Sequence, residues 1–284
     1  MVAALPAKTA SFLQQRLPSR VLVLWIFAFI VAGVLKHKLM FAGAPGLDLS
    51  LFNHFSILEV IGGYCVVRLA LRLPPTETVS SLTAIASVAV ISLLVGLLQY
   101  RPGYASGGLE VWLILLSIKS PPLRPVALAV TLFVFQYLFF TGPFLWLHEA
   151  VGQMDATVLR SGLLEFGYSV GGFGPIIIGP DGKHGVNVMG ACSSSQVIGT
   201  VGVGYLLIVL GRRGYLEGRD WTWLGLLLSA TLVLNWFRLA PMALSPEGHA
   251  YWHDGDGAGL VALAYAAATI GVAMAATRDV DAGH

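Results

Sequence analysis

Three residues in the last third of the chain carry side chains that together could perform acyl transfer: Cys192, Arg238 and His253. A thiolate is a nucleophile, an imidazole exchanges protons near neutral pH, and a guanidinium is a fixed positive charge that stabilises an oxyanion. A nucleophile, a proton carrier and a cation are the minimum set for acyl transfer through a thioester. Cys192, Arg238 and His253 are therefore the candidate catalytic residues.

The neighbours of these residues support the same chemistry. Cys192 lies among small residues, in GACSSSQ, at the predicted start of an apolar span, where a helix N-terminus and a nearby cation can lower the pKa of a thiol. Asn235 lies one helical turn before Arg238 on roughly the same face. Asp254 follows His253 and can cap the next helix. Asn235 and Asp254 are therefore the predicted supporting residues.

Each candidate also has an explanation without catalysis. Cys192 can be a small buried hydrophobe, as we expect for Cys65 in the middle of another apolar segment. Arg238 can extend towards lipid headgroups, and His253 can be a solvated loop residue.

A metal site is a further alternative, because His249, Asp254 and Asp256 lie close together in the sequence. No compact metal-binding motif such as HExxH is present, and the two cysteines form no CxxC pair. The sequence therefore predicts neither a metal nor a cofactor.

The composition requires a solvent other than water for most of the chain. Of the 284 residues, 56% are hydrophobic and only 11% are charged, which is too little polar surface for a soluble domain of this size. The bilayer is thus a predicted partner. The formal net charge of +2 is small and the basic residues form no stripe, so no nucleic-acid partner is predicted.

The apolar segments predict an all-α integral membrane protein with about eight transmembrane helices. The fourth segment is short and contains Glu110, so it is the least certain of the set. The predicted spans are Val21–Leu35, Phe55–Leu73, Ser80–Tyr100, Gly107–Ile118, Val126–Leu147, Gly190–Leu210, Trp221–Ala243 and Gly257–Ala276. No repeat, heptad or low-complexity tract divides the chain, so residues 1–284 are expected to form one polytopic domain.

Basic residues near the span ends predict the orientation, because Lys and Arg are retained on the cytoplasmic side. With residues 1–20 as a cytoplasmic tail and the first span retained, the inner loops hold most of the Lys and Arg. The chain is then a multi-pass protein of the inner (plasma) membrane. Under this topology Cys192, Arg238 and His253 all lie at the outer, periplasmic or extracellular, membrane surface.

The longest loop, residues 148–189, lies on the outer side and leads into the span triplet of residues 190–276. Its first half places Val158, Leu163, Leu164 and Phe166 among charged residues, which suits an interfacial amphipathic helix. Its second half is rich in Gly and Pro and favours turns or a small hairpin. We expect this loop to be re-entrant or interfacial.

Three short motifs in this order resemble the exosortase/archaeosortase family of polytopic membrane cysteine transpeptidases. They are ACS at Ala191–Ser193, N-x-x-R at Asn235–Arg238 and HD-x-x-G at His253–Gly257. The likeness covers roughly Gly182 to the last span and the general number of spans. One departure is that Ser194 stands where the family usually has Gly.

The resemblance implies that Cys192 attacks a peptide bond near the C-terminus of an exported protein. It further implies that His253 relays the proton and that Arg238 stabilises the oxyanion or thiolate, with Asn235 orienting Arg238. The implied substrates end in a recognition motif, an apolar span and a basic tail.

Other classes of protein remain open from the residues alone. A scaffold or assembly factor for exopolysaccharide or envelope export would use the same polar cluster without catalysis. A serine hydrolase could use Ser193, Ser194 or Ser195, although no GxSxG elbow is present. A transporter is disfavoured because ionisable residues are scarce in the predicted spans.

Overall fold

The computed structural model describes residues 16–42, 57–80, 83, 86–87, 89–90, 93, 102–139, 145–189 and 192–278. This part of the chain is mainly helical. Its helices are α1 Ser19–Ala42, α2 Ile57–Leu71, α3 Pro102–Lys119, α4 Arg124–Phe139, α5 Leu145–Glu165, α6 Ser194–Arg213, α7 Gly218–Leu244, α8 Pro246–His253 and α9 Asp256–Ala276. Two short antiparallel ribbons, β1 Arg16–Pro18 with β2 Thr78–Ser80 and β3 Ile176–Ile178 with β4 Gly185–Asn187, complete it.

Four of the described helices are long and apolar enough to cross a membrane. These segments are Ser19–Lys36, Ser194–Arg213, Gly218–Leu244 and Asp256–Ala276. The apolar helical stretches Val60–Leu71 and Pro121–Phe135 are shorter. The protein therefore has the character of a helical membrane protein, as its composition predicts.

The predicted spans coincide with described helices apart from the third, Ser80–Tyr100, most of which lies outside the described residues. The end of the fifth span is wrong, because Leu145–Leu147 belong to α5. Thr141, Gly142 and Pro143 interrupt the apolar run at this point, and the prediction joined the apolar residues on both sides of this turn signal. The start of the sixth span is also wrong, because α6 begins at Ser194 and Cys192 precedes it.

The chain divides into two compact units, the first formed by residues 1–56 and 62–135. In this unit β1 pairs with β2, and Ser19 donates its backbone N–H to the Glu77 carbonyl at 3.0 Å. The rings of Phe27 and Phe133 pack edge to face, with centroids 5.5 Å apart. Trp112 donates Nε1–H to the Ser87 hydroxyl at 2.8 Å.

The second unit, residues 57–61 and 136–284, contains all the candidate catalytic residues. Helix α6 is its most enclosed helix and packs against α5, α7 and α9. Small residues allow this close packing: a Cβ at Gly202 would lie 3.5 Å from Leu228 of α7. Helices α6, α7 and α9 therefore form a bundle in which successive helices run in opposite directions.

One end of this bundle is held by a buried ion pair. Arg213, at the end of α6, donates Nη1–H to Asp220 Oδ2 at 3.0 Å and Nη2–H to the Ala276 carbonyl at 2.8 Å. Asp220 in turn accepts the Glu217 backbone N–H and so caps α7. Since these contacts join the end of α6, the start of α7 and the end of α9, the residues of interest lie at the opposite end.

The segment between the fifth and sixth predicted spans forms a helix and a hairpin. The predicted helix is confirmed as α5, and the small hairpin is confirmed as β3 and β4 with Ile177 opposite Val186. Leu163 of α5 is buried, whereas Leu164 and Phe166 are exposed. The hairpin packs on the end of α7, where a Cβ at Gly179 would lie 2.6 Å from the Ala243 carbonyl oxygen.

Candidate active site

Cys192 lies just before α6 rather than inside it. Ser193 is the N-cap of α6, with its hydroxyl accepting the Ser195 backbone N–H, so the helix begins two residues after the cysteine. The Cys192 side chain is only 5% exposed. It belongs to a hydrophobic cluster that includes Val188 and Met242. The thiol is thus held at the end of the bundle formed by α6, α7 and α9, just before α6 rather than within it.

Asn235 connects the cysteine to two other helices. It is fully buried on α7 and donates Nδ2–H to the Cys192 carbonyl at 3.1 Å and to the Ser194 hydroxyl at 3.0 Å. Its Oδ1 accepts the Tyr265 hydroxyl of α9 at 3.5 Å. We expected Asn235 to orient Arg238, but its hydrogen bonds instead fix the backbone at Cys192. A buried amide with these partners satisfies polar groups that lipid could not.

Arg238 lies one turn further along α7 and is partly buried. Its Nε–H donates to the Trp252 carbonyl of α8 at 3.0 Å. Among the described residues, no hydrogen bond uses its terminal Nη1 and Nη2 groups. The guanidinium lies near enough to Cys192 to act on the pKa of the thiol. Arg238 is therefore anchored at one nitrogen and keeps its other donors available.

His253, at the end of α8, is oriented by its neighbour in the chain. It donates Nδ1–H to Asp254 Oδ1 at 2.7 Å, which leaves Nε2 as the nitrogen that can accept a proton. Its ring stacks on His249 with centroids 4.9 Å apart and planes inclined by 11°. His249 in turn meets His184 of the hairpin edge to face at 5.7 Å. The predicted proton carrier therefore belongs to a row of three imidazoles.

The pKa of the Cys192 thiol is raised from its ordinary value. Burial raises it most, the Arg238 guanidinium lowers it and the Asp254 carboxylate raises it. At neutral pH the resting cysteine is therefore a thiol. The sequence predicted that a helix terminus and a cation would depress this pKa, but only the cation acts in that direction.

Asp155 is the residue of this region that sequence reasoning missed as part of the site. It is fully buried on α5, and its Oδ2 accepts the Ser194 backbone N–H at 2.7 Å. Its Oδ1 accepts the Trp236 Nε1–H at 3.0 Å. A charged residue in an amphipathic helix is ordinarily solvated, so no local signal identified this carboxylate as buried.

The three serines after Cys192 belong to the same buried network. Ser195 Oγ lies 2.6 Å from His148 Nδ1 and 2.9 Å from Ser193 Oγ, while Ser194 accepts from Asn235. All three serines are at most 2% exposed. A serine and histidine pair at this distance resembles a catalytic pair, but its burial beneath the helix start favours a structural role.

No metal-binding group is formed by the residues suggested from the sequence. In residues 16–278, so far as the structure describes them, no three His, Cys, Asp or Glu side chains lie close enough together to hold a metal ion. This includes His249, Asp254 and Asp256. Asp254 is instead hydrogen-bonded to His253.

The arrangement at this end of the bundle brings together Cys192, Asn235, Arg238, His253 and Asp254. Among the described residues, the Cys192 thiol forms no hydrogen bond with His253 or Arg238. Catalytic hydrogen bonds are often long before substrate binds, so the contact is not required in the free protein. The chain matches no model of a protein family, no curated protein and no solved structure.

Proposed function

We propose that the protein is a membrane-embedded cysteine transpeptidase or peptidase. The observation that carries this proposal is the meeting of three groups at one end of the bundle. They are Cys192, an arginine whose Nη groups make no hydrogen bond within the described part of the chain, and a histidine oriented by a carboxylate. The order of the three motifs, which resembles that of the exosortase/archaeosortase family, agrees with it. In this proposal the chain has about eight spans, and the site faces the outer side of the inner membrane.

The first half of the reaction forms a thioester. His253 Nε2 takes the thiol proton as the Cys192 sulfur attacks the carbonyl carbon of the scissile peptide bond. The Arg238 Nη groups stabilise the negative charge that develops on the carbonyl oxygen. The carbon–nitrogen bond then breaks, and the proton held by His253 passes to the leaving amine. Transfer of the thiol proton to His253 is the step that the raised pKa of Cys192 makes necessary.

The second half releases the acyl group. An amine acceptor, or water, attacks the thioester carbon and loses a proton to His253, and the sulfur departs as the thiolate, which is then reprotonated. An amine acceptor makes the protein a transpeptidase and water makes it a peptidase. Asp254 keeps His253 in the tautomer that both halves need.

The proposed substrates are exported proteins that end in a recognition motif, an apolar span and a basic tail. An apolar groove of about 290 Å³ lies between α5 and α7, with Val158, Phe166, Val233 and Phe237 in its lining. Trp236, which borders this groove, also packs against the hydrophobic cluster that contains Cys192. An apolar segment lying along this face would bring its polar end close to the thiol.

A non-catalytic scaffold for exopolysaccharide or envelope export is the second candidate. The burial of Cys192, which is 5% exposed, favours it because a catalytic thiol must be reached by substrate. In this case the polar cluster would bind a partner and the cysteine would be a packing residue.

The two candidates are separated by replacing the cysteine. We expect Cys192→Ala to stop C-terminal processing of exported, span-tailed proteins, followed by mass spectrometry in the native host, while the variant still accumulates in the membrane. Cys65→Ala is the matched control, because this second buried cysteine lies in the other unit. Processing at the wild-type level in Cys192→Ala would exclude the enzyme and leave the scaffold.

A further inference from the structure

Asp155 binds the start of α6 from a neighbouring helix. Besides the Ser194 backbone N–H and the Trp236 indole N–H, it accepts the Ser193 hydroxyl at 3.5 Å. The carboxylate therefore joins three elements: α5, which carries it, the first turn of α6 and the middle of α7. Cys192 immediately precedes the residues that it holds.

The charge of Asp155 is balanced by dipoles rather than by a cation. In the described part of the chain, no Lys or Arg forms an ion pair with it, and its partners are an amide, a hydroxyl and an indole. A helix N-terminus carries the equivalent of roughly half a positive charge. Because the carboxylate sits on that terminus, α6 has little positive potential left to offer the neighbouring thiolate.

Arg238 then becomes the main source of positive charge near the sulfur. Within the described part of the chain, it is the group that lowers the pKa of Cys192 against burial and the Asp254 carboxylate. Cysteines at unoccupied helix N-termini have depressed pKa values because nothing cancels the dipole. Here a buried carboxylate occupies the helix terminus, and burial of the Cys192 thiol raises its pKa as well.

We propose that Asp155 is a positioning residue for Cys192. Asp155 ties the start of α6 to α5 and α7, and its charge cancels the positive end of the α6 dipole. Arg238 is then left as the counter-charge of the Cys192 thiolate. The consequence for catalysis rests on the proposed function, whereas the effect on the thiol itself does not. The cysteine would be kept as a protonated thiol until substrate and His253 approach together.

The test is the pH dependence of Cys192 alkylation by N-ethylmaleimide in a Cys65→Ser background. Replacing Asp155 with Asn removes the charge at nearly constant shape. We expect the midpoint of the alkylation profile to fall by about half a unit to one unit, so that labelling well below the midpoint becomes roughly three- to tenfold faster. Asp155→Ser is a second neutral variant, whose shorter side chain gives up the contact with the Ser194 N–H.

Two further variants separate charge from structure. Asp155→Glu keeps the charge and should return the midpoint to the wild-type value. Asp220→Asn removes a carboxylate that is equally buried and caps α7 at the other end of the bundle, so it should leave the midpoint unchanged.

The proposal is overturned if the neutral variants label faster at every pH with the wild-type midpoint, since that result means only that the site has opened. A midpoint that stays constant or rises also overturns it. Alkylation needs no substrate, so this outcome is independent of whether Cys192→Ala abolishes processing.

Discussion

Gly257 lies in the first turn of α9 and packs against the end of α8. We expect an alanine at this position to disturb the site. Its Cβ would lie 2.7 Å from Tyr251 Cε1 and 2.8 Å from Trp252 Cε3, closer than side chains pack. Tyr251 is half-exposed and can turn away. Trp252 packs against the hydrophobic cluster around Cys192 and its carbonyl holds Arg238, so its displacement is costly.

The magnitude follows from the cost of overpacking one methyl group. Such insertions cost about 1–3 kcal/mol, against which an alanine in a helix gains about 0.5–1 kcal/mol over glycine. We expect Gly257→Ala to be less stable by about 1–2 kcal/mol, or several degrees in melting temperature. The measurement is thermal unfolding of the purified protein in detergent, with maleimide labelling of Cys192 on the same samples.

Gly259→Ala is the matched control in the same helix. A Cβ at Gly259 meets nothing within 4 Å, so this variant gains helix propensity without a clash and should be at least as stable as the wild type. If Gly257→Ala is as stable as Gly259→Ala and labels at the same rate, the close packing of α8 on α9 does not hold the site together. The glycine of the HD-x-x-G motif would then need another explanation.

Two further predictions concern charge. Replacing Arg238 with Gln removes the guanidinium that lowers the pKa of the Cys192 thiol. Labelling of Cys192 by maleimide near pH 7 should therefore slow by about three- to tenfold. An unchanged rate would show that Arg238 does not act on the thiol. Burial first, then the charges of His253 and His184, lower the pKa of His249, so as the pH falls through about 6.5 the unfolded state binds the proton before the folded state does. As the pH falls from about 7.5 to about 5.5, the wild type should therefore lose stability relative to His249→Gln in thermal unfolding. A stability difference independent of pH would refute this assignment.

The apolar helices were predictable because the bilayer imposes one simple requirement on composition. About twenty apolar residues in a row form a helix whatever their order, since each backbone group must be satisfied within the segment. The start of α7 shows the limit of this pattern. Helix α7 begins at Gly218 rather than Trp221 because Glu217 and Asp220 form a capping box, a polar signal outside the apolar run.

The candidate site was predictable only as a set of residues at one end of a bundle. The alternation of span directions places Cys192, Arg238 and His253 near one another without any knowledge of side-chain contacts. The partners of Asn235 were not predictable, because the Cys192 carbonyl lies 43 residues away in the chain. Asp155 was harder still, since its two strongest contacts are 39 and 81 residues away.

Hydrogen-bond satisfaction at this end of the bundle distinguishes structural from reactive groups. Lipid offers no donors or acceptors, so the buried carboxylate, amide and hydroxyls of Asp155, Asn235 and the serines bond to one another. In the described residues, the Arg238 Nη groups and the His253 Nε2 are among the polar atoms at this end of the bundle that have no such bond. These are the atoms that an oxyanion and a thiol proton would need. A scaffold would use the same atoms to bind a partner, so they favour catalysis only together with the thiol beside them, and replacement of Cys192 decides between the two.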